Sequence, residues 1–201
     1  MRVFLAGASG VIGQQLIPLF VAGGHEVLGM TRSPHKQALL QELGATPLVG
    51  DVFDLGVLTA AMESFRPDIV IDQLTDLPDD PSRMAEFSGR NSTIRREGTK
   101  NLLAAAHSVG VPRFIVQSVA WELPGDAGIA VVDMERSVLE ANGVVLRYGS
   151  FYGPGTYYEE RVPDHPRIHV KAAASRTLPA VDAPSGIISI PETDEADDGE
   201  P

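Results

Sequence analysis

Short runs of apolar residues alternate with longer amphipathic stretches over the first three quarters of the chain. Runs that are apolar at nearly every position are typical of strands buried on both faces, and the amphipathic stretches predict helices. The predicted strands are residues 3–6, 26–30, 48–49, 69–74, 113–118, 144–148 and 186–190. The predicted helices are residues 11–22, 34–43, 55–65, about 82–109, about 130–141 and 170–180. This alternation predicts an α/β fold of the Rossmann type, a doubly wound parallel sheet covered by helices on both faces.

The alternation stops after Tyr152, where Gly-Pro-Gly at 153–155 predicts a turn and residues 156–167 show no regular pattern. A chain of 201 residues has room for one full domain and a small addition. We therefore expect a main domain over residues 1–155 and a short C-terminal segment over 156–190. Residues 191–201 are almost devoid of apolar side chains and predict an acidic disordered tail.

Composition narrows the classes of partner. The formal net charge is −11, which argues against binding to nucleic acid or to an anionic membrane, although six of the acidic residues lie within 191–201. The absence of cysteine removes disulfides, thiolate nucleophiles and cysteine-based zinc sites, and we expect no metal. With no apolar run long enough for a signal peptide or a membrane span, we expect a soluble cytoplasmic protein, either a monomer or a homodimer.

A glycine cluster follows the first predicted strand and opens the first predicted helix. In that context the first glycine permits a tight turn, the second lets the backbone approach a pyrophosphate, and the third allows close helix packing. The helix N-terminus then offers free N–H groups to the phosphates. A flexible turn is the alternative, but the position between strand and helix favours a dinucleotide site. The predicted cofactor contacts in this loop are Gly7, Ser9, Gly10, Val11, Ile12 and Gly13.

The end of the second predicted strand bears on the choice of cofactor. NAD-selective sites place an acid here for the ribose 2′-hydroxyl, whereas an arginine accommodates the 2′-phosphate of NADP. This chain has Thr31, Arg32 and Ser33, with no acid among them. We therefore expect NADP, with NAD possible; the alternative is that Arg32 is a solvated surface charge.

Three further residues complete the predicted cofactor site. Asp51 follows the third predicted strand and either accepts the adenine amino group or caps the helix that begins near Asp54. Val52 lies beside it, and Leu74 ends the fourth predicted strand.

Several segments, taken in order, resemble the NAD-dependent epimerase/dehydratase group of the extended and atypical short-chain dehydrogenases/reductases. The resemblance covers residues 1–155 and, more weakly, 167–190. It implies a Rossmann fold, a nicotinamide cofactor, and a substrate pocket between the sheet edge and the C-terminal segment. The matching segments are the glycine loop, Gly-Asp at 50–51, Gly-Thr-Lys-Asn-Leu-Leu-Ala-Ala-Ala at 98–106, Arg-Phe-Ile-Val-Gln-Ser at 113–118, Leu-Arg-Tyr-Gly at 146–149 and Tyr-Gly-Pro-Gly at 152–155.

The chain departs from this family in its catalytic residues. The family uses a tyrosine as acid and base, a lysine four residues later, and a serine or threonine that orients the substrate oxygen. Between Ser118 and Gly143 this chain has neither tyrosine nor lysine, and the two positions fall on Ala127 and Val131. The family asparagine ahead of the Gly-Thr pair is replaced by Arg95.

Two functions fit this pattern. The first is an NADP-dependent oxidoreductase that reduces a small carbonyl substrate with non-standard proton donors, for which Ser118, Tyr148 and Tyr152 are the candidates. The second is a non-catalytic NADP(H)-binding or redox-sensing module, favoured by the missing tyrosine and lysine. The intact phosphate loop favours the first, because the cofactor itself performs the hydride step.

Overall fold

The computed structural model describes residues 1–78 and 80–192, so the predicted acidic tail lies outside the described residues except for Pro191 and Glu192. The strands are β1 (Arg2–Ala6), β2 (Glu26–Thr31), β3 (Thr46–Val49), β4 (Ile69–Asp72), β5 (Phe114–Val119), β6 (Val144–Tyr148), β7 (Ser150–Tyr152), β8 (Arg167–His169) and β9 (Gly186–Ile190). The α-helices are α1 (Val11–Ala22), α2 (Gln37–Glu42), α3 (Leu55–Phe65), α4 (Met84–Thr93), α5 (Thr99–Ser108), α6 (Gly125–Glu140) and α7 (Val170–Thr177).

Seven of the strands form one sheet in the order β3-β2-β1-β4-β5-β6-β9, and every pairing in it is parallel. The predicted Rossmann-type fold is thereby confirmed. The strand order reverses between β1 and β4, and in open sheets of this kind ligands bind at such a switch point, outside the carboxyl ends of the strands.

Helices cover both faces of the sheet, and each strand contributes side chains to two cores. Val3 and Leu5 of β1 pack with α1, α2 and α7 on one face. Phe4 and Ala6 of the same strand pack with α3, α5 and α6 on the other. Burial on both faces explains why the strands read as continuous apolar runs.

The long helix predicted over about 82–109 is divided. Helix α4 ends at Thr93, and a π-helical turn, Ile94–Gly98, leads into α5. Gly98 packs closely on the core in this turn, since a Cβ there would lie 3.1 Å from a methyl carbon of Val52. Periodicity alone does not reveal such a turn, because it adds one residue without ending the helix.

The C-terminal segment is more ordered than its sequence pattern indicates. Strands β7 and β8 form a separate parallel pair, and α7 gives way to a 3₁₀ helix over Leu178–Asp182 instead of continuing to residue 180. Pro179 lies in the first turn of that 3₁₀ helix, where the lack of an N–H opposes continuation of α7. Strand β9 then pairs with β6, so this segment completes the main sheet.

None of the helices within 1–78 and 80–192 is long and apolar enough to cross a membrane. The same residues contain no group of three or more histidine, aspartate or glutamate side chains that is arranged to hold a metal ion.

Candidate cofactor site

The glycine loop joins β1 to α1 at the switch point, and two of its glycines are required by space. Gly7 has φ +77°, and a Cβ there would lie 2.6 Å from the carbonyl oxygen of Gln73. A Cβ on Gly13 would lie 2.5 Å from the carbonyl oxygen of Gly7. No other residue type fits at these two positions, because the loop is pressed against the end of β4 and against its own helix.

The N-terminus of α1 is open for an anion. Gly10 is the N-cap residue, is exposed, and provides no side-chain cap to the helix. Its own N–H donates to the carbonyl oxygen of Gly7 at 3.0 Å. Uncapped amides and the helix dipole together favour a phosphate group here. The glycine loop and the N-terminus of α1 therefore fit the pyrophosphate of a dinucleotide.

Hydrogen bonds join this loop to the end of β2. The hydroxyl groups of Ser9 and Thr31 lie 2.8 Å apart, and both residues are buried. The Thr31 hydroxyl oxygen also accepts the Ser33 backbone N–H at 3.2 Å. The structure thus brings together three residues that the sequence analysis assigned to one site.

Arg32 has a partner that the sequence analysis missed. Its Nη2 lies 2.8 Å from Oδ1 of Asp76, whose other oxygen accepts from Nε of Arg90 at 2.9 Å. Burial acts to raise the pKa of Asp76, but Arg32 and Arg90 outweigh it and hold that pKa below its ordinary value. No acid lies among residues 31–33, but the fold brings Asp76 beside Arg32. Asp76 follows β4, and the carboxyl ends of parallel strands meet at one edge of the sheet, which was the available signal.

Asp51 does not cap α3. Its carboxylate accepts the backbone N–H of Phe53 at 3.0 Å, while Asp54 caps the helix through the N–H of Val57 at 3.0 Å. Asp51 is exposed, and only one of its carboxylate oxygens has a hydrogen bond among those within residues 1–78 and 80–192. Of the two roles that the sequence left open for it, helix capping is excluded, and the adenine contact stays a prediction.

The two remaining predicted cofactor contacts, Val52 and Leu74, are less exposed than Asp51. Val52 is 4% exposed and packs in the core beneath Gly98. Leu74 is half-buried, and its N–H donates to Oδ1 of Asp72 at 3.0 Å. The Val52 side chain therefore lies in the core, and its carbonyl oxygen accepts from Nδ2 of Asn101 at 3.1 Å.

A buried carboxyl group ends β4. Burial raises the pKa of Asp72 to about 6, against the opposing effects of the Leu74 N–H, the Thr99 hydroxyl at 2.8 Å and the charge of Arg95. Arg95, on the π-helical turn, is 7% exposed, and burial lowers its pKa. Its Nη1 has no hydrogen-bond partner within residues 1–78 and 80–192.

The Ser118 hydroxyl is hydrogen-bonded to the ion pair of Glu135 and Arg147. Its hydroxyl donates to Oε1 of Glu135 at 2.5 Å, and Arg147 binds both oxygens of the same carboxylate at 2.9 and 2.5 Å. Burial acts to raise the pKa of Glu135, but the hydrogen bonds from Arg147 and Ser118 hold it below its ordinary value. Ser118 is 1% exposed and faces α6.

Tyr148 lies on the opposite face of the sheet, among the residues packed with α7. Its hydroxyl is 2.6 Å from that of Thr177 and accepts from Nε2 of Gln73 at 3.5 Å. Burial raises the pKa of Tyr148 to about 12. A phenol with that pKa is poorly matched to proton transfer near neutral pH.

Tyr152, at the end of β7, is half-buried, and its hydroxyl donates to Glu192 at 2.5 Å. Glu192 also accepts from Arg167 at 3.2 Å and from the His169 N–H at 3.2 Å. The three candidate proton donors are therefore held by three different sets of partners. The structure does not assemble them into one catalytic group, and their assignment to catalysis stays a prediction.

Comparison with known proteins agrees with this geometry. A sequence profile described as NAD(P)H-binding matches residues 7–144. A 3-diazoavenalumate denitrifying reductase from a Streptomyces species is 34% identical over 79% of this chain and 59% of its own length. A 3 beta-hydroxysteroid dehydrogenase/Delta 5-->4-isomerase from Mycobacterium tuberculosis is 26% identical over 90% of this chain and 56% of its own length. The chain thus spans less than two thirds of both curated relatives.

The fold has close counterparts among solved structures. A UDP-glucose 4-epimerase from Thermus thermophilus in complex with NAD superimposes with a TM-score of 0.77 at 20% identity, covering 95% of this chain and 78% of that one. The profile covers more than half of the chain and includes the whole phosphate loop. The expected resemblance to the epimerase/dehydratase-like short-chain dehydrogenases/reductases is confirmed, and the chain belongs to the NAD(P)H-binding family of Rossmann-fold proteins.

Proposed function

We propose that the protein is an NADP-dependent oxidoreductase that reduces a small carbonyl substrate. The observation that carries the proposal is the glycine loop between β1 and α1. Its Gly7 and Gly13 leave no room for a Cβ, and the N-terminus of α1 that follows has no side-chain cap. The naming of the Streptomyces relative as a reductase supports the reaction class. The Arg32 side chain, 57% exposed beside the loop, supports the choice of cofactor.

The roles of the chain's own residues follow from their positions. The amides at the head of α1 bind the pyrophosphate, and Asp51 takes the adenine amino group. Thr31, Ser33 and Arg32 hold the adenosine ribose and its 2′-phosphate. When bound, the nicotinamide supplies hydride. A proton must then reach the substrate oxygen, and Tyr152 suits this step better than Ser118 or Tyr148 because it is the least buried of the three.

Binding experiments test the cofactor assignment. We expect the wild-type protein to bind NADPH at least several-fold more tightly than NADH in isothermal titration. Arg32→Ala should remove that difference, since a lost charge-assisted contact costs on the order of 1.5–3 kcal/mol. Gly10→Val should abolish binding of both, because a side chain there takes the space of the pyrophosphate, while φ −80° and ψ 172° accept valine without backbone strain.

Arg83→Ala is the matched control, since Arg83 is exposed to a similar degree and pairs with Glu86 instead of Asp76. Equal affinity of the wild type for NADPH and NADH would refute the NADP assignment. Normal cofactor binding by Gly10→Val would show that the loop is not the phosphate site.

A non-catalytic NADP(H)-binding or redox-sensing module is the second candidate. It is favoured by the alanine and valine at positions 127 and 131. It is also favoured by the buried hydrogen bonds of Ser118 with Glu135 and of Tyr148 with Thr177. A screen of carbonyl reductions with NADPH separates the two functions. Tight NADPH binding without turnover of any substrate would favour the module. In either case we propose a small molecule as the partner and a monomer or homodimer in the cytoplasm.

A further inference from the structure

We propose that Arg90, on α4, is the second arginine of the 2′-phosphate site, and that Asp76 holds the Arg32 and Arg90 guanidinium groups together to receive that phosphate. The inference rests on the proposed use of NADP. It assigns a specificity role to a helix that lies outside the glycine loop and outside the end of β2.

The two guanidinium groups converge on one carboxylate. Arg90 binds Asp76 through Nε at 2.9 Å and Nη2 at 3.3 Å, and Arg32 binds it through Nη2 at 2.8 Å. The Asp76 side chain is 8% exposed, whereas those of Arg32 and Arg90 are 57% and 55% exposed. The anion is therefore interior, and both cations lie beside it at the surface next to the cofactor edge.

Both arginines keep donors for a ligand. Each guanidinium has five N–H groups. The contacts within the described part of the chain use two of these in Arg90 and one in Arg32. Arg32, Arg90 and Asp76 together carry a net charge of +1, with the Asp51 carboxylate near enough to act on Arg32. A phosphate carries about −1.5 to −2 at pH 7. A phosphate can thus bind both arginines without displacing Asp76.

The cluster is held in place before any ligand arrives. The guanidinium carbon of Arg90 lies 4.7 Å from the centre of the Phe87 ring, which supports it from one side. Asn91, the next residue on α4, accepts the backbone N–H of Asp76 at 3.1 Å. Fixing the arginines in advance reduces the entropy lost when the phosphate binds.

Arg90→Gln is the direct test. We expect it to weaken NADPH binding roughly tenfold or more and to leave NADH binding within about twofold, because only NADPH carries the 2′-phosphate. The same contrast should appear with the fragments 2′,5′-ADP and 5′-ADP. Arg90→Lys should give an intermediate loss, since it keeps the charge and loses the planar fork.

Arg83→Gln is the control, because Arg83 also lies over Phe87, at 5.4 Å, but does not bind Asp76. Thermal melts of each variant check folding independently of the ligand.

Equal weakening of NADPH and NADH binding by Arg90→Gln, or no weakening of either, overturns the role of Arg90. If wild type prefers NADPH and only Arg32→Ala removes the preference, this inference fails while the proposed function stands. If wild type has no preference, the NADP assignment itself fails.

Discussion

At the scale of single residues, the carboxyl group of Asp72 is the most unusual feature of this protein. It ends a core strand, is fully enclosed, and is surrounded by the Thr99 hydroxyl, the Leu74 N–H and the buried Arg95. Burial outweighs these partners, so the pKa rises to about 6. The folded protein therefore retains a proton on Asp72 at pH values where the unfolded chain has lost it.

This shift predicts a specific pH dependence of stability. Because the pKa of Asp72 is higher in the folded state, its contribution to the free energy of unfolding falls as pH rises from about 4 to about 6, by up to about 3 kcal/mol. Asp72→Asn should remove that fall, as measured by urea unfolding at several pH values. Asp68→Asn, at an exposed position just before the same strand, is the control and should retain it.

The acids whose pKa values are lowered in the folded state affect its stability in a different pH range. Asp76, Glu135 and Glu192 stabilise the folded state above their unfolded pKa values, and that stability is lost as pH falls below about 4. The difference between wild type and Asp72→Asn isolates a carboxyl group whose effect on stability has the opposite dependence on pH. A parallel pH profile for the two proteins would contradict the assignment.

At the scale of secondary-structure elements, one ion pair joins β5, α6 and β6. Ser118, Glu135 and Arg147 come from these three elements in turn, and they meet at the carboxyl end of the sheet. The Glu135 side chain is 6% exposed, so its charge depends on both partners for compensation. These contacts tie α6 to β5 and to β6.

Ser118→Ala should therefore lower the free energy of unfolding by about 1–3 kcal/mol, the range for a hydrogen bond to a charged group. Ser137→Ala, on the exposed side of α6, should change the free energy of unfolding by less than about 0.5 kcal/mol.

In a reductase assay Tyr152→Phe should reduce kcat by at least ~10²-fold, as expected for loss of a proton donor, and Ser118→Ala should not. A loss of that size for Ser118→Ala in a folded protein would reverse the assignment.

At the scale of the whole molecule, the protein shares the fold of a UDP-glucose 4-epimerase, whereas the sequence analysis predicts no tyrosine-lysine pair. The Thermus epimerase shares the fold over 95% of this chain. The sequence analysis predicts that the family's tyrosine and lysine positions fall on Ala127 and Val131, and both residues lie on α6. Neither side chain can move a proton.

We accordingly expect no interconversion of UDP-glucose and UDP-galactose by this protein with either NAD or NADP. A purified UDP-glucose 4-epimerase assayed beside it shows that the conditions support the reaction. Robust turnover would mean that another residue supplies the proton or that the two positions are misaligned.

The features that the sequence alone determined are those set by local geometry. Alternating apolar runs specify a sheet covered on both faces, and glycines at 7 and 13 specify a loop in which no Cβ fits. Both signals lie within a few residues of the structure that they describe, so they can be recognised without knowing the remainder of the fold. For the same reason the cofactor class followed from the sequence.

The remainder was decided by tertiary structure, because it depends on contacts between distant parts of the chain. Arg32 and Asp76 are 44 residues apart, and only the switch in strand order brings them together. Ser118 and Tyr148 lie at or next to the last residue of their strands, yet they face opposite sides of the sheet and are held by α6 and α7. Which face a side chain takes, and which helix covers that face, is set by packing across the whole molecule.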